Sequence, residues 1–387
     1  MHVLEELKMH NIIAYVGSLT SSDTKNDISR FALNPQTGAL GLIDAQSSGD
    51  DNPTWLAIDP SNRYLYAANS VTGDTTPHPD GSISAFAING KNGQLAHLNN
   101  VNSHGSNPAH CSIHPSGKWL LVANYGAAGN HSASVIAIND DGSLGALVDQ
   151  VHIPVGPPEL GAQIAVDAPT GSYAISGHDA PHAHQFQCDG AGKFAFLTDL
   201  GTDRTLIYAF DADTGKLKQT EQNHVCETSG AGPRHFVFHP NGRYFYLINE
   251  EASTVSFLTY ESDTGALTPR QTLPTLPLAY SGTSFTSEII MSPDGRFLYG
   301  LNRLHDSIAI FKIHENGELE LIGEEWTRGS YPRHAAISPT GEFLYVCNER
   351  SDNITIFRIT DDQLSFEAYV PVQGPMFIGF CAVENPA

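Results

Sequence analysis

The sequence predicts an all-β protein: a seven-bladed β-propeller built from four-stranded antiparallel blades. Three observations carry that prediction. A motif, Pro-x-Gly-x-aromatic-(Leu/Phe)-Tyr-x-x-Asn, recurs at Pro240 to Asn249, Pro293 to Asn302 and Pro339 to Asn348. Variants stand at Pro60 to Asn69, Pro115 to Asn124 and Gly190 to Asp199. The copies end at residues 69, 124, 199, 249, 302 and 348, and Gly17 closes Ile12 to Val16 in the same register, so successive intervals are 52, 55, 75, 50, 53 and 46 residues. One leucine opens a last strand in each unit, at Leu40, Leu95, Leu144, Leu217, Leu267, Leu319 and Leu364. A period near ~50 with several short strands belongs to a propeller blade, because one such sheet cannot bury both faces without neighbours.

Each unit supplies four strands in order. An A strand precedes the motif, at residues 52–59, 107–114, 183–189, 232–239, 286–292 and 331–338. The motif itself is the B strand, apolar runs such as Ser253 to Leu258 and Asp306 to Phe311 are C strands, and the leucines open D strands. A seventh A strand is expected at residues 374–380, where the end of the chain joins the N-terminal blade and removes two free sheet edges. The repeat runs without a linker, so residues 1–387 are expected to form a single propeller domain. The 75-residue interval contains an insertion, about residues 151–181, rich in Pro and Gly. It is expected as a long loop at one mouth of the ring, where such loops are often functional.

The 35 glycines and 23 prolines fit a turn-rich β chain, since 40% of residues are hydrophobic. A formal charge of −22 argues against nucleic acid and requires any anionic substrate to find a local cationic pocket. Five cysteines without a CxxC spacing read as reduced thiols of a cytoplasmic protein. Residues 1–10 lack a long apolar segment and no run of 18 apolar residues exists, so neither export nor membrane insertion is expected. No Gly-x-Ser-x-Gly elbow, phosphate loop or dinucleotide fingerprint is present, and no cofactor is expected. A monomer or weak homodimer is expected.

Antiparallel pairing puts the start of each A strand beside the end of each B strand, at one mouth of the channel. His184, Arg234 and Arg333 stand first on their A strands; His110, His235 and Glu288 stand second. Glu250 and Arg303 come just past B strands. His184 or Glu250 could act as a general base, and Arg234 could stabilise an oxyanion. Arg303, Arg333, Glu288, His110 and His235 are the candidate substrate contacts, with the arginines offering forks for phosphate or carboxylate. His182 and His184 form a weak metal pair unsupported by Cys or Asp at the mouth, so no metal is expected. His114 and His239 lie at the far ends of their strands and read as structural.

A set of ordered motifs resembles the lactonase-type seven-bladed propeller family: Tyr15-Val-Gly-Ser18, Asn107-Pro-Ala-His110, Ala123-Asn-Tyr-Gly126, Pro181-His-Ala-His184, Asp199-Leu-Gly-Thr-Asp203, Gly232-Pro-Arg-His235, Ile248-Asn-Glu250 and Leu301-Asn-Arg303. That family includes bacterial 6-phosphogluconolactonase and fungal 3-carboxymuconate lactonising cyclase. The resemblance implies a pocket on His184, Arg234, Glu250 and Arg303. It implies metal-independent hydrolysis of 6-phospho-D-glucono-1,5-lactone to 6-phosphogluconate, in the pentose phosphate pathway. A carboxymuconate-type cyclase and a non-catalytic binding propeller are the alternatives. Glu251 beside Glu250, and Asp306 directly after His305, leave open which carboxylate points inward and how Arg303 is aimed.

Overall fold

Seven four-stranded antiparallel sheets stand in a ring in the computed structural model, which describes residues 10–19, 27–50, 52–70, 81–126, 132–154 and 163–384. Residues 1–9 and residues 155–162 of the expected insertion lie outside the described residues. Blade 1 runs outward through Pro375–Glu384, His10–Ser18, Ile28–Leu33 and Leu40–Gln46; blades 2 to 7 follow in chain order from Pro53–Ile58 to Gln363–Pro371. The closing strand is longer than residues 374–380, because its pairing with the N-terminal strand continues to His10 opposite Glu384. Among the described residues the only helix is a three-residue turn, Glu349–Ser351, and none is long and apolar enough to cross a membrane.

The core lies between blades. Phe194, Phe196 and Ile207 of blade 4 meet Phe236, Phe245 and Leu247 of blade 5 in one such layer. Each fully buried large apolar side chain contributes about 1.5–3 kcal/mol, so the seven interfaces hold the ring.

The repeated motif has two structural reasons. Its tyrosine crosses to a glycine turn of the next blade: Tyr15 Oη donates to the Gly93 carbonyl at 2.6 Å, Tyr66 to Gly142 at 3.0 Å, Tyr246 to Gly317 at 2.9 Å and Tyr345 to Gly38 at 2.7 Å. Those glycines hold φ between 68° and 89°, a region that favours residues without Cβ. His114 and His239 do the same work through Gly192 and Gly295, as expected of structural histidines. The terminal asparagine braces the turn beside the mouth, with Nδ2 of Asn69, Asn249, Asn302 and Asn348 donating to Ser or Thr hydroxyls of the C strand. Four cysteines are buried and Cys226 is exposed; all five are free thiols.

Candidate functional site

One irregularity recurs in every blade and builds the site. Register between A and B strands jumps near the start of the A strand, so that the A strand carries one residue more than its partner across the ladder. The skipped residues are Thr54, Ala109, His184, Arg234, Arg333 and Met376, and in blade 6 the pair Ser287 and Glu288. A β-bulge bends its strand and re-aims the extra side chain. Six of these residues line a cavity of about 370 Å³ at one mouth of the ring, with Ser287 and Glu288 outside it.

The bulge corrects the expectation that first and second positions share the cavity. The second-position residues pack one layer deeper. Trp55 lies 4.5 Å from His110 and 5.0 Å from Phe377 between ring centroids, and His334 lies 4.3 Å from Phe377. His110 and Glu288 therefore do not line the cavity, while Trp55 and His235 form its floor. Neither His110 nor Glu288 is placed to touch a substrate.

His184, Arg234, Glu250 and Arg303 do converge, as the strand geometry requires, and Arg333 joins them. Oε2 of Glu250 accepts from Arg234 Nε and Arg303 Nη2, each at 2.9 Å. Burial alone would raise the Glu250 carboxyl, but Arg303, Arg234 and Arg333 overcome it and hold it at about 2. Burial draws Arg234 down to about 9, so it remains cationic at neutral pH. Its Nη1 donates to the Ser287 carbonyl at 2.5 Å, which leaves Nη2 without a partner among the described residues. Arg303 donates to the Thr286 carbonyl at 2.7 Å. Burial, reinforced by Arg234 and His235, pushes His184 well below the usual histidine range, so it is neutral at pH 7.

Two questions left open by the sequence are answered here. Glu250 points inward. Glu251 is buried against the segment after the undescribed part of the insertion, accepting from Ser176 Oγ and the Gly177 N–H and meeting His178 Nδ1 at 2.7 Å, and does not line the cavity. Asp306 accepts from the Tyr331 N–H at 2.6 Å and so holds the wall against which Arg303 lies. His182 spends both ring nitrogens, on the Tyr125 carbonyl and on Asp179, and does not face the cavity with His184. No group of three or more His, Cys, Asp or Glu among the described residues is placed to hold a metal ion.

Sequence reasoning missed Tyr331 and Arg350. The Tyr331 ring sits between the guanidinium groups of Arg303, at 5.3 Å, and Arg350, at 3.7 Å. Tyr331 adopts φ 64°, an uncommon conformation for an aromatic residue. Arg333 approaches Glu349 only to 4.0 Å. Four arginines and two glutamates line the cavity, so positive charge is in excess here on a protein of net charge −22.

Residues 13–380 match the family model described as lactonase, 7-bladed beta-propeller. The chain belongs to this lactonase propeller family. A 6-phosphogluconolactonase of Bacillus subtilis is 30% identical to it over 84% of each chain. One of Formosa agariphila is 33% identical over 83% of this chain and 85% of its own. The solved periplasmic gluconolactonase of Pseudomonas aeruginosa superposes with a TM-score of 0.82 at 26% identity, over 97% of this chain and 99% of its own. The similar proteins thus include ones named for phosphorylated and for plain sugar lactones.

Proposed function

We propose that this lactonase-family propeller hydrolyses 6-phospho-D-glucono-1,5-lactone to 6-phosphogluconate. The relatives named 6-phosphogluconolactonase support that reading. The single observation that carries it is the cavity itself: a neutral histidine faces an excess of arginines on an otherwise acidic protein. Such a pocket concentrates an anionic lactone and spares a base that water can use.

His184 takes a proton from water as the water oxygen adds to the lactone carbonyl carbon. Nη2 of Arg234 is the donor to the oxyanion that forms. Collapse of the tetrahedral intermediate breaks the bond to the ring oxygen, which takes the proton back from His184. Glu250 is a poor base because two arginines hold it ionised at about 2; its role is to aim Arg234 and Arg303. Arg303 is committed to Glu250, so Arg333 and Arg350 are the phosphate anchor. With all five cysteines free, we place the protein in the cytoplasm.

The lactone hydrolyses spontaneously, so the test is acceleration over buffer that scales with protein and is lost in His184→Asn. Absence of acceleration, with turnover of a carboxymuconate, would replace hydrolysis by lactone closure in the same cavity.

A further inference from the structure

Beneath the cavity floor a chain of hydrogen bonds connects a carboxylate to the back of His184. Glu288 Oε1 lies 3.0 Å from His235 Nδ1, and His235 Nε2 lies 3.0 Å from His184 Nδ1. Every member is buried: Glu288 is 6%, His235 1% and His184 5% exposed. Nothing in the proposed reaction requires Glu288 or His235 to touch substrate, yet an acid at this depth is costly to bury without a purpose or a partner.

We propose that Glu288 and His235 are positioning residues that fix His184 in the tautomer with its proton on Nδ1, leaving the Nε2 lone pair facing the cavity as the base. The inference rests on the hydrolase reading for the role of His184, but its wiring follows from donors and acceptors alone. An ionised carboxylate only accepts. Glu288 Oε1 already takes the Ile289 N–H at 3.0 Å. His334 accepts the Ile378 N–H on Nδ1, so a neutral His334 carries its proton on Nε2, which points at Glu288 Oε2 from 3.6 Å. That approach is too long for a hydrogen bond, whereas His235 Nδ1 also lies 3.1 Å from Oε2, so an ionised Glu288 is the acceptor for His235 Nδ1–H. His235 Nε2 is then an acceptor, and only His184 Nδ1–H can satisfy it.

With Glu288 ionised, the opposite polarity would need Arg234 Nη1 to supply His235 Nδ1. That contact is longer, 3.4 Å, and Nη1 already serves the Ser287 carbonyl. Burial, only partly offset by His334 and Arg234, raises the Glu288 carboxyl above the usual carboxylate range. A Glu288 that kept its proton would reverse the chain and turn His184 Nε2 into a donor. The charged and titratable groups facing His184 are Arg234, Arg303, Arg333 and His235, with Tyr125 against its edge. None of the others is hydrogen-bonded to its Nδ1.

The test is the ring nitrogen spectrum of the full chain labelled with 15N-histidine, with His184 assigned by its loss in His184→Asn. Expected is a protonated Nδ1 and an unprotonated Nε2 on His184 at neutral pH. In Glu288→Leu the His184 signals should shift toward a mixture of tautomers, and kcat should fall roughly tenfold or more with KM near the wild-type value. A protonated Nε2 in the wild type overturns the proposal, as do His184 signals and kcat unchanged in a folded Glu288→Leu. If that variant does not fold, the wild-type spectrum alone decides. The spectrum needs no substrate, so a wild type that turns over no lactone would remove the proposed reaction while the wiring stood or fell separately.

Discussion

Replacing Arg234 separates binding from catalysis more sharply than any other change in the cavity. Its Nε binds Glu250, its Nη1 binds the Ser287 carbonyl, and its Nη2 is the proposed oxyanion donor. Arg234→Lys keeps the positive charge but has no fork to hold Glu250, Ser287 and the oxyanion at once. Losing one transition-state donor costs about 2.7–4 kcal/mol, or roughly 10²–10³ in kcat. Glu250 keeps Arg303 on the same oxygen, so the carboxylate is not stranded. The cost to folding should therefore stay below the ~3–5 kcal/mol of a broken buried pair. The assay is initial-rate hydrolysis of fresh phosphogluconolactone with the spontaneous rate subtracted, alongside a denaturant melt. Expected are a kcat lower by about two orders of magnitude or more and a KM changed by less than about threefold. A kcat close to wild type in folded Arg234→Lys would refute the oxyanion assignment.

Three further outcomes follow from the same geometry. His184 protonates only well below 6.5, so kcat should hold level as pH falls from about 8 to about 6; a half-fall near pH 7 would mean another base. Arg350→Ala should raise KM for the phosphorylated lactone roughly ten- to hundredfold and leave plain glucono-1,5-lactone little changed; equal effects on both would remove the phosphate anchor. His178 is buried against Asp203 and Glu251; burial opposes its charge, but those carboxylates prevail and raise it to about 10. A group raised in the folded state stabilises fully below its unfolded value of about 6.5 and loses that contribution as pH rises through about 10. His178→Gln should therefore lower Tm more at about pH 6 than at about pH 10, and a pH-independent difference would contradict the pairing.

The blade count, the order of strands and the ring closure were legible because each repeated residue has a repeated job. Tyr66, Tyr246 and Tyr345 cross to the next blade, and Asn69, Asn249 and Asn348 brace the turn by the mouth. His184, Arg234, Glu250, Arg303 and Arg333 were legible because antiparallel pairing alone brings their positions together. The bulge was not legible. A two-against-one register leaves no mark in a hydrophobic pattern, so His110 and Glu288 read as cavity residues although they lie a layer beneath it. Tyr331 and Arg350 fall outside the motif; the available signal was their adjacency in sequence to the cavity positions of Arg333 and Glu349. The acidic pair Glu324-Glu325 and Trp326 belong to an outer strand, where Arg328 stacks on Trp326 and binds Glu325, away from the cavity.

The most direct measurement is a crystal structure with 6-phosphogluconate soaked into the cavity. The account predicts the product carboxylate between His184 and Arg234, with the phosphate between Arg333 and Arg350 over the edge of Tyr331. Product bound in the reverse sense, or outside this cavity, would contradict it.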